Sequence, residues 1–451
     1  MSDSPRVWIR GQRLLTVGMV MLITIAASES LAISTVMPLV EQELGDLPLY
    51  GWVFSAFFLG NVVGIIAAGH LADRYRPVLP LALGLALFVL GLVLGASAGS
   101  LLVLVGARAI QGIGAGAIPA VANVCVARAY SAAARPRMFA LFSTAWIVPA
   151  LVGPGLAGFV GQQLGWRWVF SALVPLALAA GAVTLAAVRR IPVGGEGGAA
   201  SARVGWTLGL VVGSALFLTG LEAQPRWLGA GLAVVGAGLA GRALGVLWPA
   251  GTGRVRRGLP ACVASKGFFA IAFFATDAFV PLALTDLRGV TVTYAGLVVT
   301  AVSLAWSAAA WVQERFVRTV GPRPLVRIGF ALVAVGTGLF AIVALTSVPV
   351  ALSFVAWSTA GAGAGLLFAP ITAAGLAASA VGQEGAATSA MLLADTLGIA
   401  AGTGVAGAIV AAAHGVGSGM DAGLAGVFVL SVVFGLAGVW AARRLPASVL
   451  V

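Results

Sequence analysis

Long apolar runs separated by short polar breaks dominate the chain from residue 13 to residue 442. Proline, glycine and clustered charges cut this pattern into stretches near 14–40, 51–71, 78–97, 101–127, 138–162 and 167–188. A second set of six runs near 260–284, 293–316, 324–346, 349–378, 386–413 and 422–442. Each is long enough to cross a hydrocarbon core of about 30 Å as a helix. Between the sets lie two further apolar stretches, 206–221 and 227–248, with Glu222, Gln224 and Arg226 at their turn. The first is short for a span. It either recruits flanking residues or sits shallow as a re-entrant hairpin, and both choices leave the parity unchanged. The pattern therefore predicts an all-α membrane protein of fourteen spans: a six-helix bundle over 1–190, a linker over 191–258 with two additional helices, and a six-helix bundle over 259–451.

Composition agrees with that reading. The 451 residues are 60% hydrophobic and 9% charged, against roughly a quarter charged in soluble domains, so no room is left for a soluble domain. A net charge of +12 would suggest a nucleic-acid surface in a water-soluble protein, but the basic residues sit in short loops, where they report topology. With the N-terminus inside, only Arg167, Arg226 and Arg288 face out and Arg108 is buried in a span. The other 22 of 26, among them Arg6, Arg74, Arg128, Arg190, Lys266, Arg318 and Arg444, fall at or near inner ends. Both termini are expected in the cytoplasm of a bacterium, since 25 arginines to one lysine, with excess Ala and Gly, matches a GC-rich coding bias. The first stretch is too long for a signal-peptide core of about 7 to 15 residues and is expected to remain as a membrane helix. Cys125 and Cys262 read as small apolar thiols.

The two sets look alike. Pro38 and Pro281 stand 243 residues apart and Tyr50 and Tyr294 stand 244 apart, an offset expected of a transporter built from repeated bundles.

The loop after the second stretch reads Gly69-His70-Leu71-Ala72-Asp73-Arg74-Tyr75-Arg76, which resembles the signature loop of the major facilitator superfamily. Arg76 and Pro77 depart from the family pattern. In the fourth stretch, Arg108-Ala109-Ile110-Gln111-Gly112-Ile113-Gly114 resembles a second family motif. Its glycines are not a phosphate loop, because no strand precedes them and no Gly-Lys-Ser/Thr follows. Small residues of this kind let helices approach closely in lipid. The fifth stretch holds Gly153-Pro154-Gly155 within 148–158, followed by Gly165-Trp166-Arg167-Trp168. Together with the central pair and the Gly-rich 361–370 stretch, these look like the fourteen-helix drug:proton antiporter branch. The resemblance implies the major facilitator fold and proton-coupled export without a cofactor. It assigns Gly69, Asp73 and Arg74 to an inner gate and Gly153 and Pro154 to a helix that bends as the molecule rocks. It also implies that Asp73 contacts the N-terminal end of the thirteenth span, where the helix dipole favours an anion.

Four charges fall inside spans, where each costs at least about 2.5 to 3.5 kcal/mol on insertion scales. Glu29 lies eight residues before Met37 and Arg108 seven after Leu101, so both sit roughly 10 to 12 Å below the outer surface. Similar depth permits them to pair across a central cavity. A carboxylate balanced between desolvation and an adjacent cation can exchange a proton as the cavity alternates sides, the alternative being a fixed structural ion pair. Asp277, four residues before Pro281, and Asp395, about ten residues into the thirteenth span, are candidates for a second proton site or for binding a cationic substrate. Glu29 and Asp277 are the substrate-binding candidates.

These residues point to export of a small amphipathic or hydrophobic compound by a monomer exchanging protons in the inner membrane, with export of an endogenous lipid or glycolipid as the second reading. Nucleic acid is not an expected partner, and no metal ligand set appears. An intramembrane enzyme is the remote alternative, because His70 and His414 are the only histidines and neither His-Glu-x-x-His nor Gly-x-Ser-x-Gly occurs.

Overall fold

The computed structural model describes residues 10–131, 134–189, 191, 200–380 and 383–446. Arg6 and Arg190 lie outside the described residues. Among the described residues there is no strand, and fourteen stretches are long and apolar enough to cross a membrane.

The first half holds α1 (Arg10–Leu44), α2 (Tyr50–Arg74), α3 (Val78–Ala96), α4 (Leu101–Ala129), α5 (Arg135–Thr144), α6 (Ile147–Leu164), α7 (Arg167–Ser171) and α8 (Leu173–Val188). The central pair is α9 (Ala200–Glu222) and α10 (Arg226–Leu247). The second half holds α11 (Leu259–Asp277), the short α12 (Val280–Leu282), α13 (Val292–Val320), α14 (Pro322–Leu345), α15 (Leu352–Ala377), α16 (Glu384–Gly415) and α17 (Gly419–Ala441).

Local chemistry sets several of these ends. The Ser100 hydroxyl accepts from Val103 N–H at 3.3 Å to open α4, and the Thr291 hydroxyl accepts from Tyr294 N–H at 3.2 Å to open α13, each satisfying an orphan donor of a first turn. The predicted fifth span is broken into α5 and α6, and the sixth into α7 and α8. The ninth ends early at Asp277, and its continuation passes through α12 into a π-helical turn, Ala283–Leu287. The central pair resolves in favour of recruited flanks: α9 runs 23 residues instead of the 16 of the apolar core 206–221.

Helices pack through small residues, as expected where lipid gives no hydrophobic drive between them. On the α9–α10 pair, a Cβ at Gly213 would stand 2.6 Å from the Ala240 nitrogen. Large apolar side chains on the outer faces, such as Trp227 at 76% and Val234 at 72% exposed, suit contact with lipid.

The halves meet mainly along α2 against α16 and α6 against α13. These contacts concentrate toward the end predicted to face out. Tyr50 donates to the Ala278 carbonyl at 3.3 Å and its ring lies 4.9 Å from that of Phe279. Thr293 donates to Gln162 at 2.8 Å. A Cβ on Gly407 would come within 2.7 Å of Gly51 Cα, so backbone rests on backbone there. At the opposite end Tyr75 and Glu384 are exposed, as are Trp146 beside α6 and Trp311 on α13. The central pair leans on the α2–α16 seam: Leu59, Leu210, Ala243, Leu397 and Ala400 form a common apolar cluster, and Trp52 donates to the Glu222 carboxylate at 3.0 Å.

Candidate transport and coupling site

The first-half charges meet. Arg108, on α4, is bonded through Nη1 to Glu29 on α1 and to the Gln111 side-chain oxygen, the latter at 2.6 Å. Its Nε donates to the Val53 carbonyl at 3.3 Å, and the guanidinium lies 4.1 Å from the centre of the Phe57 ring, both on α2. Arg108 and Gln111 share a helix face because they are three residues apart. Side-chain exposure is 1% for Arg108 and 3% for Glu29, so the couple is sealed inside the first half and does not reach across an open cavity. Glu29 Oε2 and Gln111 Nε2 are covered and have no hydrogen-bond partner.

Asp277 is the last residue of α11, where the helix breaks. Its Oδ1 accepts from Trp357 Nε1 on α15 at 3.2 Å. Among the described residues it forms no ion pair.

Asp395, on α16, has Lys266 on α11 as its charged neighbour. The placement of Lys266 at an inner end is corrected here: it lies seven residues into α11, is 4% exposed, and its ammonium sits 3.0 Å from the centre of the Phe368 ring on α15. The basic run Arg254, Arg256 and Arg257 ends before α11 begins, so Lys266 does not belong to that loop.

The gate residues are arranged differently from the contact the resemblance implies. Asp73 stands 3.8 Å from Arg128 of its own half, and Arg128 also donates to the Ala72 carbonyl at 2.9 Å. The start of α16, Glu384 and Gly385, is exposed. Asp73 finds its cation within the first half. Arg74 is exposed, and a Cβ on Gly69 would meet nothing within 4 Å. Gly153 likewise has open space around it. Pro154 lies buried inside α6, and a Cβ on Gly296 of α13 would be 2.5 Å from its carbonyl oxygen. The next residue, Gly155, donates its N–H to the Thr300 hydroxyl on α13 at 3.2 Å. The glycine-proline segment thus forms part of the seam between the halves.

Sequence reasoning missed Gln111 as a partner of Arg108, Trp357 as the donor to Asp277, and the interior position of Lys266. The last carried a readable signal, since it is the single lysine in the chain and stands within an apolar stretch. Trp357 carried none, being 80 residues from Asp277.

The profile described as Major Facilitator Superfamily matches residues 18–403. This chain belongs to that superfamily. It is a membrane transporter and not an enzyme. A probable multidrug-efflux transporter of Mycobacterium tuberculosis is 28% identical over 463 aligned positions, covering 93% of each chain. The Acurin A biosynthesis cluster transporter of Aspergillus aculeatus is 30% identical over 153 residues, which is 34% of this chain and 28% of that relative's length. Among solved structures, a D-xylose–proton symporter superposes with a TM-score of 0.69 at 16% identity, covering 96% of this chain and 98% of the other. A bacterial homologue of the human lysosomal transporter Spinster gives 0.69 at 13% identity, covering 98% of both chains. At such identities these major facilitator structures speak for the fold alone.

Proposed function

We propose that this major facilitator protein exports small amphipathic or hydrophobic compounds in exchange for protons, as a monomer in the cytoplasmic membrane with both termini inside. The observation that carries the reading is the sealed Glu29–Arg108 couple, a carboxylate held at membrane depth by one cation that also donates to the Gln111 amide oxygen. Charges at such depth mark ion and proton pathways by default. The Mycobacterium tuberculosis relative, named as an efflux transporter and matched along 93% of its length, supports export over uptake. Contacts between the halves at one end, with Asp73, Tyr75 and Glu384 uncovered at the other, fit a carrier open to the inside in an alternating-access cycle. The halves 1–190 and 259–451 are the rocking units, with 191–258 bracing one seam between them.

The test is transport by the purified chain in proteoliposomes with an imposed pH gradient, against a panel of lipophilic cations, neutral drugs and lipids. Substrate efflux should move protons inward, and Glu29→Gln should abolish that movement. Efflux that still moves protons in Glu29→Gln would refute the coupling role. Export of a membrane lipid is the second reading, favoured by the uncovered Trp146 and Trp311 that flank the α6–α13 seam at its open end, at 48% and 68% exposure.

A further inference from the structure

The second half contains a charge couple that proton exchange at Glu29 does not use. Lys266 on α11 and Asp395 on α16 sit on helices that pack against each other, and each is the other's charged neighbour. They do not close into an ion pair, because no nitrogen–oxygen approach within 4 Å links them. Asp395 Oδ1 is shielded from solvent and has no hydrogen-bond partner. In the Glu29–Arg108 couple the two buried charges bond directly and Arg108 also donates to a side-chain amide oxygen and a backbone carbonyl, leaving Glu29 Oε2 as the one unmatched atom of that carboxylate, whereas Lys266 and Asp395 do not meet. A buried carboxylate oxygen left unmatched is costly and calls for a missing partner.

We propose that Lys266 and Asp395 are the two poles of a head-group site for a zwitterionic amphiphile. The inference rests on the export reading and names the class of compound carried. An anionic group takes the ammonium of Lys266, and the cationic group of the same molecule takes the open oxygen of Asp395. A ligand with one charge satisfies one pole and is repelled by the other, so the couple discriminates against simple cations and simple anions. The apolar body has aromatic rings to meet. Phe368, which lies under Lys266, has Trp306 at 5.7 Å and Phe269 at 5.8 Å between ring centres, and Phe273 extends the cluster to Trp357 at 5.2 Å. Phe368 and Trp306 are partly uncovered, as is Asp395, while Phe269, Phe273 and Trp357 are buried behind them, so Phe368 and Trp306 are the rings open to a tail beside the head site.

The experiment is calorimetric binding to the full chain in a non-ionic maltoside detergent, with three ligands of equal tail: hexylphosphocholine, hexyltrimethylammonium and hexyl sulfate. The zwitterion should bind about tenfold or more tighter than either singly charged ligand. Lys266→Gln and Asp395→Asn should each remove that preference. Equal affinity of the unmodified chain for the zwitterion and the cation overturns the proposal without need of any variant. So does a folded Lys266→Gln protein that keeps the preference. If the preference is absent while proton-driven efflux of other compounds persists, only the head-group inference falls. If the preference is present and no compound is exported, the export reading falls instead.

Discussion

Replacing Arg108 by Met tests whether the sealed couple is held together energetically. The substitution removes the bonds to Glu29, to the Gln111 oxygen at 2.6 Å and to the Val53 carbonyl at 3.3 Å, while leaving Glu29 with a side chain 3% exposed. Breaking a buried pair by deleting one partner costs about 3 to 5 kcal/mol, chiefly because the remaining charge stays uncompensated. The double variant Arg108→Met with Glu29→Gln removes both charges and should recover to within about 1.5 kcal/mol of the parent. The exposed pair Arg167–Glu43, at 2.5 Å with side chains 37% and 50% exposed, provides the internal contrast: Glu43→Gln should cost at most about 1 kcal/mol. Unfolding free energies from reversible detergent denaturation measure the parent, Arg108→Met, Glu29→Gln, the double variant and Glu43→Gln. Raising salt to 1 M shortens the Debye length to about 3 Å and should reduce the Glu43 effect while leaving the Arg108 effect unchanged. A loss below about 1 kcal/mol in Arg108→Met, or a double variant as unstable as the two single losses added together, would refute the account.

Gly407→Leu places a side chain where the ideal Cβ is already 2.7 Å from Gly51 Cα; it should pry the closed end apart, and spin labels at Arg76 and Gly385 should report shorter distances across the opposite end. An unchanged distance distribution would count against the seam as a gate. Asp73→Asn removes the anion now 3.8 Å from Arg128; it should slow turnover with little change in substrate affinity, measured as separate rate and binding constants, and equal loss of both would argue against a latch. Arg288, whose guanidinium donates to the Val343, Thr346 and Val348 carbonyls, ties down the end of α14; Arg288→Ala should lower stability by about 2 to 4 kcal/mol and leave proton coupling in the surviving protein intact.

The fourteen spans were legible because a helix must hide its own backbone in lipid, and apolar length alone reports that. Ends with a capping residue, such as Ser100 before α4 and Thr291 before α13, add local signals. The breaks inside spans were less visible. The predicted stretch 138–162 gives no sign in hydropathy that α5 stops at Thr144 and α6 starts at Ile147. Pairing across helices depended on depth arithmetic: it matched Glu29 with Arg108, 79 residues apart, because both were counted from the same surface. It failed for Lys266, which was grouped with the loop arginines by sign alone. It had nothing to offer for Trp357, since an aromatic at that depth usually faces lipid.

Both intramembrane couples lie within a single half: Glu29 and Arg108 on α1 and α4, Lys266 and Asp395 on α11 and α16. In the proposed cycle, rocking the halves as rigid units would break neither couple, so coupling would not run through making and breaking a charge pair between them. In that cycle rocking would change which side's water and which ligand can reach each couple. Asp73 is different in kind. Its cation in this state belongs to its own half, and the α16 end it would meet with the inner side closed is now uncovered. Substitutions at Asp73 should therefore move the balance between open states, whereas Glu29→Gln should abolish proton movement with substrate while leaving that balance in place. A spin-label distance distribution shifted as far by Glu29→Gln as by Asp73→Asn would show that the two roles are not separable in this way.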